Sequence, residues 1–228
     1  MRRVQFATPS LGAFLLVACA AQPFNEPLCR APDQSLESQR GTGFADDYFP
    51  AQFGKPSEDC GDPVGPVPIV SKFERDWFAG QWRAASESSF YEAAQCKAAP
   101  EFALRFSYIP SFDPSVFIRV QSDGNGLSLI AKELSGNGGN DPGTLARSKK
   151  IRLTDKQASE LKAMLNSEAL FEEPPTTCEQ GFDGSEWIFE MVDKDGYRMV
   201  KRWSPASGPA HDLGQQLIRL SGWSIETY

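Results

Sequence analysis

The chain has 228 residues, 40% of them hydrophobic, and its 30 Asp and Glu outweigh 23 Lys and Arg for a net charge of −7. That is the size of one folded domain with a leader or linker attached. An acidic chain without a basic stripe is a poor partner for nucleic acid, where neutralising phosphates supplies most of the affinity.

The N-terminus reads as an export signal. "MRR" is cationic, and "LGAFLLVA" is an apolar run too short for the roughly 20 residues that span a bilayer. "LVAC" then resembles the bacterial lipobox, with Leu16, Val17 and Ala18 before Cys19. The resemblance implies a signal peptide over residues 1–18. It also implies a lipid anchor on the Cys19 sulfur, with acyl chains such as palmitate. Ala20 implies delivery to the outer membrane, facing the periplasm. Two other readings stay open: small-x-small cleavage at Ala18-Cys19-Ala20, which discards Cys19, and an uncleaved N-terminus, which leaves the apolar run unexplained.

With Cys19 set aside, Cys29, Cys60, Cys96 and Cys178 remain. An even number in an oxidising compartment predicts two disulfides, with Cys29–Cys60 and Cys96–Cys178 as the expected pairs among three connectivities. No Cys/His spacing suggests zinc, and neither a metal nor a cofactor is expected.

Residues 19–70 are rich in Pro, Gly and acids and poor in aliphatics, the composition of a tether. Phe44, Tyr48, Phe49 and Phe53 are expected to lie on the domain and order part of it. The globular domain is expected over 71–228. One or two helices fall within 71–94, and "FALRFSYI" (102–109) alternates as a strand. "SVFIRVQ" and "LSLIAKEL" follow as strands joined by "SDGNG", a hairpin signal. "GNGGNDPG" (136–143) reads as a mobile loop, since it lacks the Lys-Ser/Thr ending of a phosphate-binding loop. "RSKKIR" (147–152) reads as a solvated edge strand. "TDKQ" is a capping box that opens a helix at Thr154. A second hairpin spans about 186–204, and a last helix runs from about Pro209 to Leu220, capped by Ser207. Short β–β links predict a single α+β domain, with a mainly antiparallel sheet of five to six strands and two to three helices.

Chemistry is sought in the second hairpin. A three-residue loop, Lys194-Asp195-Gly196, puts Trp187, Phe189 and Met191 on the core face with Tyr197, Met199 and Trp203. Glu190 then faces solvent, diagonal to Arg198 and Arg202, as a cross-strand ion pair. The only histidine, His211, lies near the start of the last helix, and no nucleophile elbow accompanies it. "SDGNG" and "DKDG" fall short of a calcium loop.

From about residue 74 onward, "FALRFSYIPSFDPSVFIRV", "GNGGNDPG", "GFDGSEWIFE" and "RWSP" resemble a family of bacterial proteins and lipoproteins of unknown function, with the motif DG-x-x-W-x-x-E … RWSP. The resemblance implies one recurrent domain and marks Asp183, Gly184, Trp187, Glu190, Arg202 and Trp203 as motif positions. It carries no activity, cofactor or catalytic residue. Where the family has an acidic-proline-small-leucine element, this chain has "SESSF". The expected function is a lipid-anchored, non-enzymatic envelope module that binds an envelope protein or cell-wall partner. The rivals are a periplasm-facing hydrolase using Glu190 and Asp183 with Arg202, and an inhibitor of wall-degrading enzymes.

Overall fold

The computed structural model describes residues 48–96, 99–167, 170–179 and 181–228. Cys19, Cys29 and the leader lie outside the described residues.

The chain is a single α+β domain built on a six-stranded antiparallel sheet. The strands are β3 (Ala103–Pro110), β4 (Val116–Ser122), β5 (Leu127–Leu134), β6 (Leu145–Arg152), β7 (Ser185–Asp193) and β8 (Gly196–Trp203). Their order is β6-β5-β4-β3-β7-β8. Ahead of them, β1 (Pro56–Asp59) and β2 (Pro66–Pro68) form a separate antiparallel pair. "RSKKIR" lies on the edge strand β6, where its charged side chains alternate into solvent.

Among the described residues four helices accompany the sheet: α1 (Lys72–Ala84), α2 (Phe90–Gln95), α3 (Asp155–Ser167) and α4 (Pro209–Ser221). The helical stretch 71–94 divides in two at Ser86, whose φ of 52° breaks the run. Ser71 opens α1 with a reciprocal capping box to Glu74. The expected box at α3 is present, since Thr154 N–H donates to Gln157 Oε1 at 2.9 Å and Gln157 N–H to Thr154 Oγ1 at 3.3 Å. The cap of α4 differs from expectation. Gly208 holds the N-cap position at φ 89° without a side-chain bond, and Pro209 follows as the first helical residue.

Both faces of the sheet are covered, which is why β3 is buried along its whole length and β7 at every residue but its last, Asp193. On one face, Leu104, Phe106, Trp187 and Phe189 pack with Leu161 of α3 and with Leu213, Leu217 and Ile218 of α4. Gly214 lets Trp187 approach α4, because a Cβ there would sit 2.3 Å from the indole. On the other face, Ile109, Phe117, Ile188 and Met199 pack with Phe78 and Trp82 of α1. Phe49 and Val70 join this second core fully buried, so residues assigned to the tether fold against the domain from Tyr48 on.

The hairpin β7–β8 corrects the expected register. Asp193 pairs with Gly196, so the loop is the two residues Lys194-Asp195, and the Asp193 carboxylate accepts the Asp195 N–H at 2.9 Å. A shift of one residue turns every β8 side chain over. Tyr197, Met199, Lys201 and Trp203 therefore share a face with Glu186, Ile188 and Glu190, while Val200 and Arg202 lie with Trp187 and Phe189.

The disulfide pairing is also corrected. Cys60 is bonded to Cys178, which excludes both Cys29–Cys60 and Cys96–Cys178. Cys96 is disulfide-bonded as well. The Gly-rich loop 136–143, read as mobile, is instead pinned. Gly139 C=O accepts from Trp77 Nε1 at 2.6 Å and from Gln81 Nε2 at 2.9 Å. At Gly138, with φ 84°, a Cβ would meet the Phe112 N at 2.7 Å, so only glycine fits.

Candidate functional site: a sealed ion cluster and an open acidic cleft

The face of the sheet under α1 and α2 carries two acidic centres of opposite character. The first is the cluster around Glu190. Glu190 does not face solvent, and its partner is neither Arg198 nor Arg202. Arg105, directly across on β3, donates Nε to Glu190 Oε2 at 2.7 Å and adds a second bond through Nη2. Tyr197 donates its hydroxyl to the other carboxylate oxygen at 3.0 Å. The Arg105 guanidinium lies between two rings, 4.4 Å from the Trp82 centroid and 4.5 Å from that of Phe90.

Glu87, from the loop between α1 and α2, completes the cluster. It accepts Lys132 Nζ at 2.7 Å and lies 3.5 Å from Arg105 and 3.6 Å from Arg119. Lys132 also donates to the Ala85 and Ser86 carbonyls, each at 2.9 Å. Burial works to raise the Glu87 carboxyl, but Arg119, Lys132 and Arg105 outweigh it and hold the group below the usual carboxylate range. At Glu190 burial prevails over Arg105 and Tyr197 and pushes the carboxyl up. All five charged side chains are nearly or wholly buried. They pair among themselves, three cations with two carboxylates, and none lines the cleft at the start of β7. The cluster therefore fixes how the α1–α2 layer sits on the sheet.

The second centre is open. A cleft of about 560 Å³ lies where β7 begins and β8 ends, under the N-terminal half of α1. Its aromatic walls are Phe73 and Trp77 of α1, Trp203 of β8 and Phe182 of the loop that leads into β7. Phe73 is 62% exposed and Phe182 wholly so. Its charged lining is Glu74, Glu179, Glu186 and Lys201. Lys201 pairs with Glu74, which also accepts the Ser71 N–H at 2.7 Å. Burial tends to raise Glu74, yet Lys201 and Ser71 outweigh it, and its carboxyl sits below the usual range.

Glu186 differs. It is 8% exposed, its carboxylate has no hydrogen-bond partner among the described residues, and burial pushes that carboxyl up to about 7 against the pull of Lys201. A desolvated, unpartnered carboxylate at a cleft is the kind of group that marks functional sites.

No family model matches the chain, and no curated protein matches it in sequence. The motif positions therefore rest on their own geometry, and they scatter. Trp187 is a core residue, 5.1 Å from Phe106 and 5.8 Å from Tyr108 between centroids. Arg202 pairs with Glu173 at 2.7 Å on the opposite face from Glu190. Asp183 is exposed. Gly184 and Gly181 lie so close to the Trp203 indole that a Cβ would approach it to 2.6 and 2.4 Å. Of the six, only Trp203 lines the cleft.

His211 stacks over Trp187 at 6.1 Å and bonds to Asp212 at 2.9 Å, away from the cleft lining. Among the described residues no group of three His, Cys, Asp or Glu could hold a metal. Sequence reasoning passed over Glu186, Lys201 and Glu74. The available signals were Glu186 four residues before Glu190 on the same strand face, and the Ser71-x-x-Glu74 capping pattern.

Proposed function

We propose that the chain is a lipid-anchored envelope protein, tethered through Cys19, whose domain acts as a non-enzymatic binding module with the cleft as its binding face. The observation that carries this reading is the cleft: four aromatic rings and an unpartnered carboxylate gathered in one concavity of ordinary ligand-site volume. The lipobox-like leader and the bonded cysteines favour an oxidising compartment. The hydrolase reading loses its residues, because Glu190 is sealed in an ion cluster while Arg202 lies on the other face.

One test is affinity capture from envelope extracts with the full chain, beside mass spectrometry of its N-terminus. The expected result is a diacylglyceryl-modified Cys19 and a partner that is lost on Phe73→Ser with Phe182→Ser. Recovery of nothing above the Phe73→Ser, Phe182→Ser control overturns the binding module, and an unmodified N-terminus overturns the anchor.

One observation favours the inhibitor reading as a second choice: Glu179 and Asp183 flank the fully exposed Phe182. An inhibitor would slow a wall-degrading enzyme at stoichiometric concentration, and Phe182→Ala would release it.

A further inference from the structure

We infer that the cleft binds a cationic group, an ammonium or guanidinium carried on an apolar stem, with the Glu186 carboxylate as its counter-ion. This rests on the binding-module reading and names the ligand class of that site.

The argument is one of polar groups already committed and polar groups left over. Lys201, the cation of the lining, is paired with Glu74. That leaves an anionic ligand little to bind, and it leaves Glu186 and Glu179 as charge in surplus. The Trp77 N–H is spent on the Gly139 carbonyl, so Trp77 offers a ligand its ring rather than a donor. Glu186 is nine-tenths buried, and its carboxylate accepts from nothing among the described residues.

A buried acceptor of this kind is satisfied by a strong donor, and a charged donor restores the solvation that burial removed. Around it stand Phe73, Trp77, Phe182 and Trp203, whose faces attract a cation and whose edges pack an apolar stem. A neutral saccharide would use the rings but would leave the surplus charge unmatched.

Such binding depends on pH in a defined direction. Facing Glu186 are Glu74 from α1 and Lys201 from β8, with Glu179 from the loop. An alkylammonium stays charged up to about pH 10. Affinity is therefore full above about pH 7 and weakens by about tenfold per unit below it, as Glu186 takes up a proton.

The probes are 2-phenylethylamine and 2-phenylethanol, its uncharged analogue, followed through tryptophan fluorescence and calorimetry on the full chain. A tripeptide with a central lysine, beside the norleucine version, separates a peptide-borne cation from a free amine. The expected result is that at pH 8 at least one amine-bearing probe binds tenfold or more tightly than its neutral partner. That preference should vanish at pH 5 and in Glu186→Gln, a near-isosteric change whose folding circular dichroism verifies. Equal binding of charged and neutral probes, or an unchanged preference in Glu186→Gln, overturns the proposal. Capture of an envelope partner by both wild type and Glu186→Gln would sink the cationic ligand while sparing the binding module. Inert probes together with an empty capture remove both.

Discussion

Glu186 and Glu190 lie four residues apart on one face of β7, and of their two carboxylates only that of Glu190 is hydrogen-bonded among the described residues. Arg105 stands directly opposite Glu190, whereas Ile109 stands opposite Glu186. One strand thus carries a structural carboxylate and a free one, and the difference comes from β3.

The free carboxylate makes the domain less stable when ionised. Between the unfolded value near 4.5 and the folded value of about 7, the native chain holds a proton that the unfolded chain has released. Stability therefore falls as pH rises through this window, by about 3 kcal/mol in all. Glu186→Gln removes the slope, so the variant should be more stable than wild type by about 2–3 kcal/mol at pH 8 and nearly equal at pH 4. Urea unfolding across this range measures it, and a variant less stable at pH 8 would refute the assignment.

Glu87 should behave in the opposite sense. Its carboxyl lies below the usual range, so its contribution is complete above the unfolded value and is lost as pH falls through the depressed one. Glu87→Gln leaves Lys132 and two arginines short of an anion and should cost about 3–5 kcal/mol near neutrality. Adding Lys132→Met should recover part of that loss, because the two residues share one interaction. Strictly additive losses in the double variant would show that the pair is not coupled.

Arg105→Lys tests the stacked guanidinium. Lysine keeps the charge but not the planar fork that lies between Trp82 and Phe90 and reaches Glu190 twice. A loss of about 2–4 kcal/mol is expected in chemical unfolding, and a loss below about 0.5 kcal/mol would mean that charge alone suffices.

Gly214→Ala probes the approach of α4 to β7. The added methyl would stand 2.3 Å from the Trp187 ring, so the helix or the indole must shift. Overpacking of this kind costs about 1–3 kcal/mol. Pairing it with Trp187→Phe should restore part of the melting temperature, and an unaltered melt for the single change would contradict the packing.

Much of the fold was legible in the residues. The Thr154 capping box, the alternation of 102–109 and the short β–β links led to an antiparallel α+β domain. The hairpin register was not legible, for a physical reason. Lys194-Asp195-Gly196 suits both a two- and a three-residue loop, and hydrophobic alternation arbitrates only where one face is wet. β7 is buried on both faces, so the pattern that should have fixed β8 carried no information. The cleft was hidden differently. Glu186 and Lys201 are neighbours through the hairpin, but Glu74 and Trp77 arrive from a helix more than 100 residues earlier. Glu87 stood inside "SESSF", where nothing local announces the three cations that surround it.

The Cys60–Cys178 bond has its two ends in segments that border the cleft. Cys60 belongs to the β1–β2 hairpin, which contributes Val67 and Pro68, and Cys178 lies between Thr177 and Glu179. The cross-link spans 118 residues of chain, a loop for which closure is worth about 4–5 kcal/mol on entropic grounds. Where thiols stay reduced, the two walls are held together by packing alone. The shape of the cleft is then set by oxidation as well as by folding.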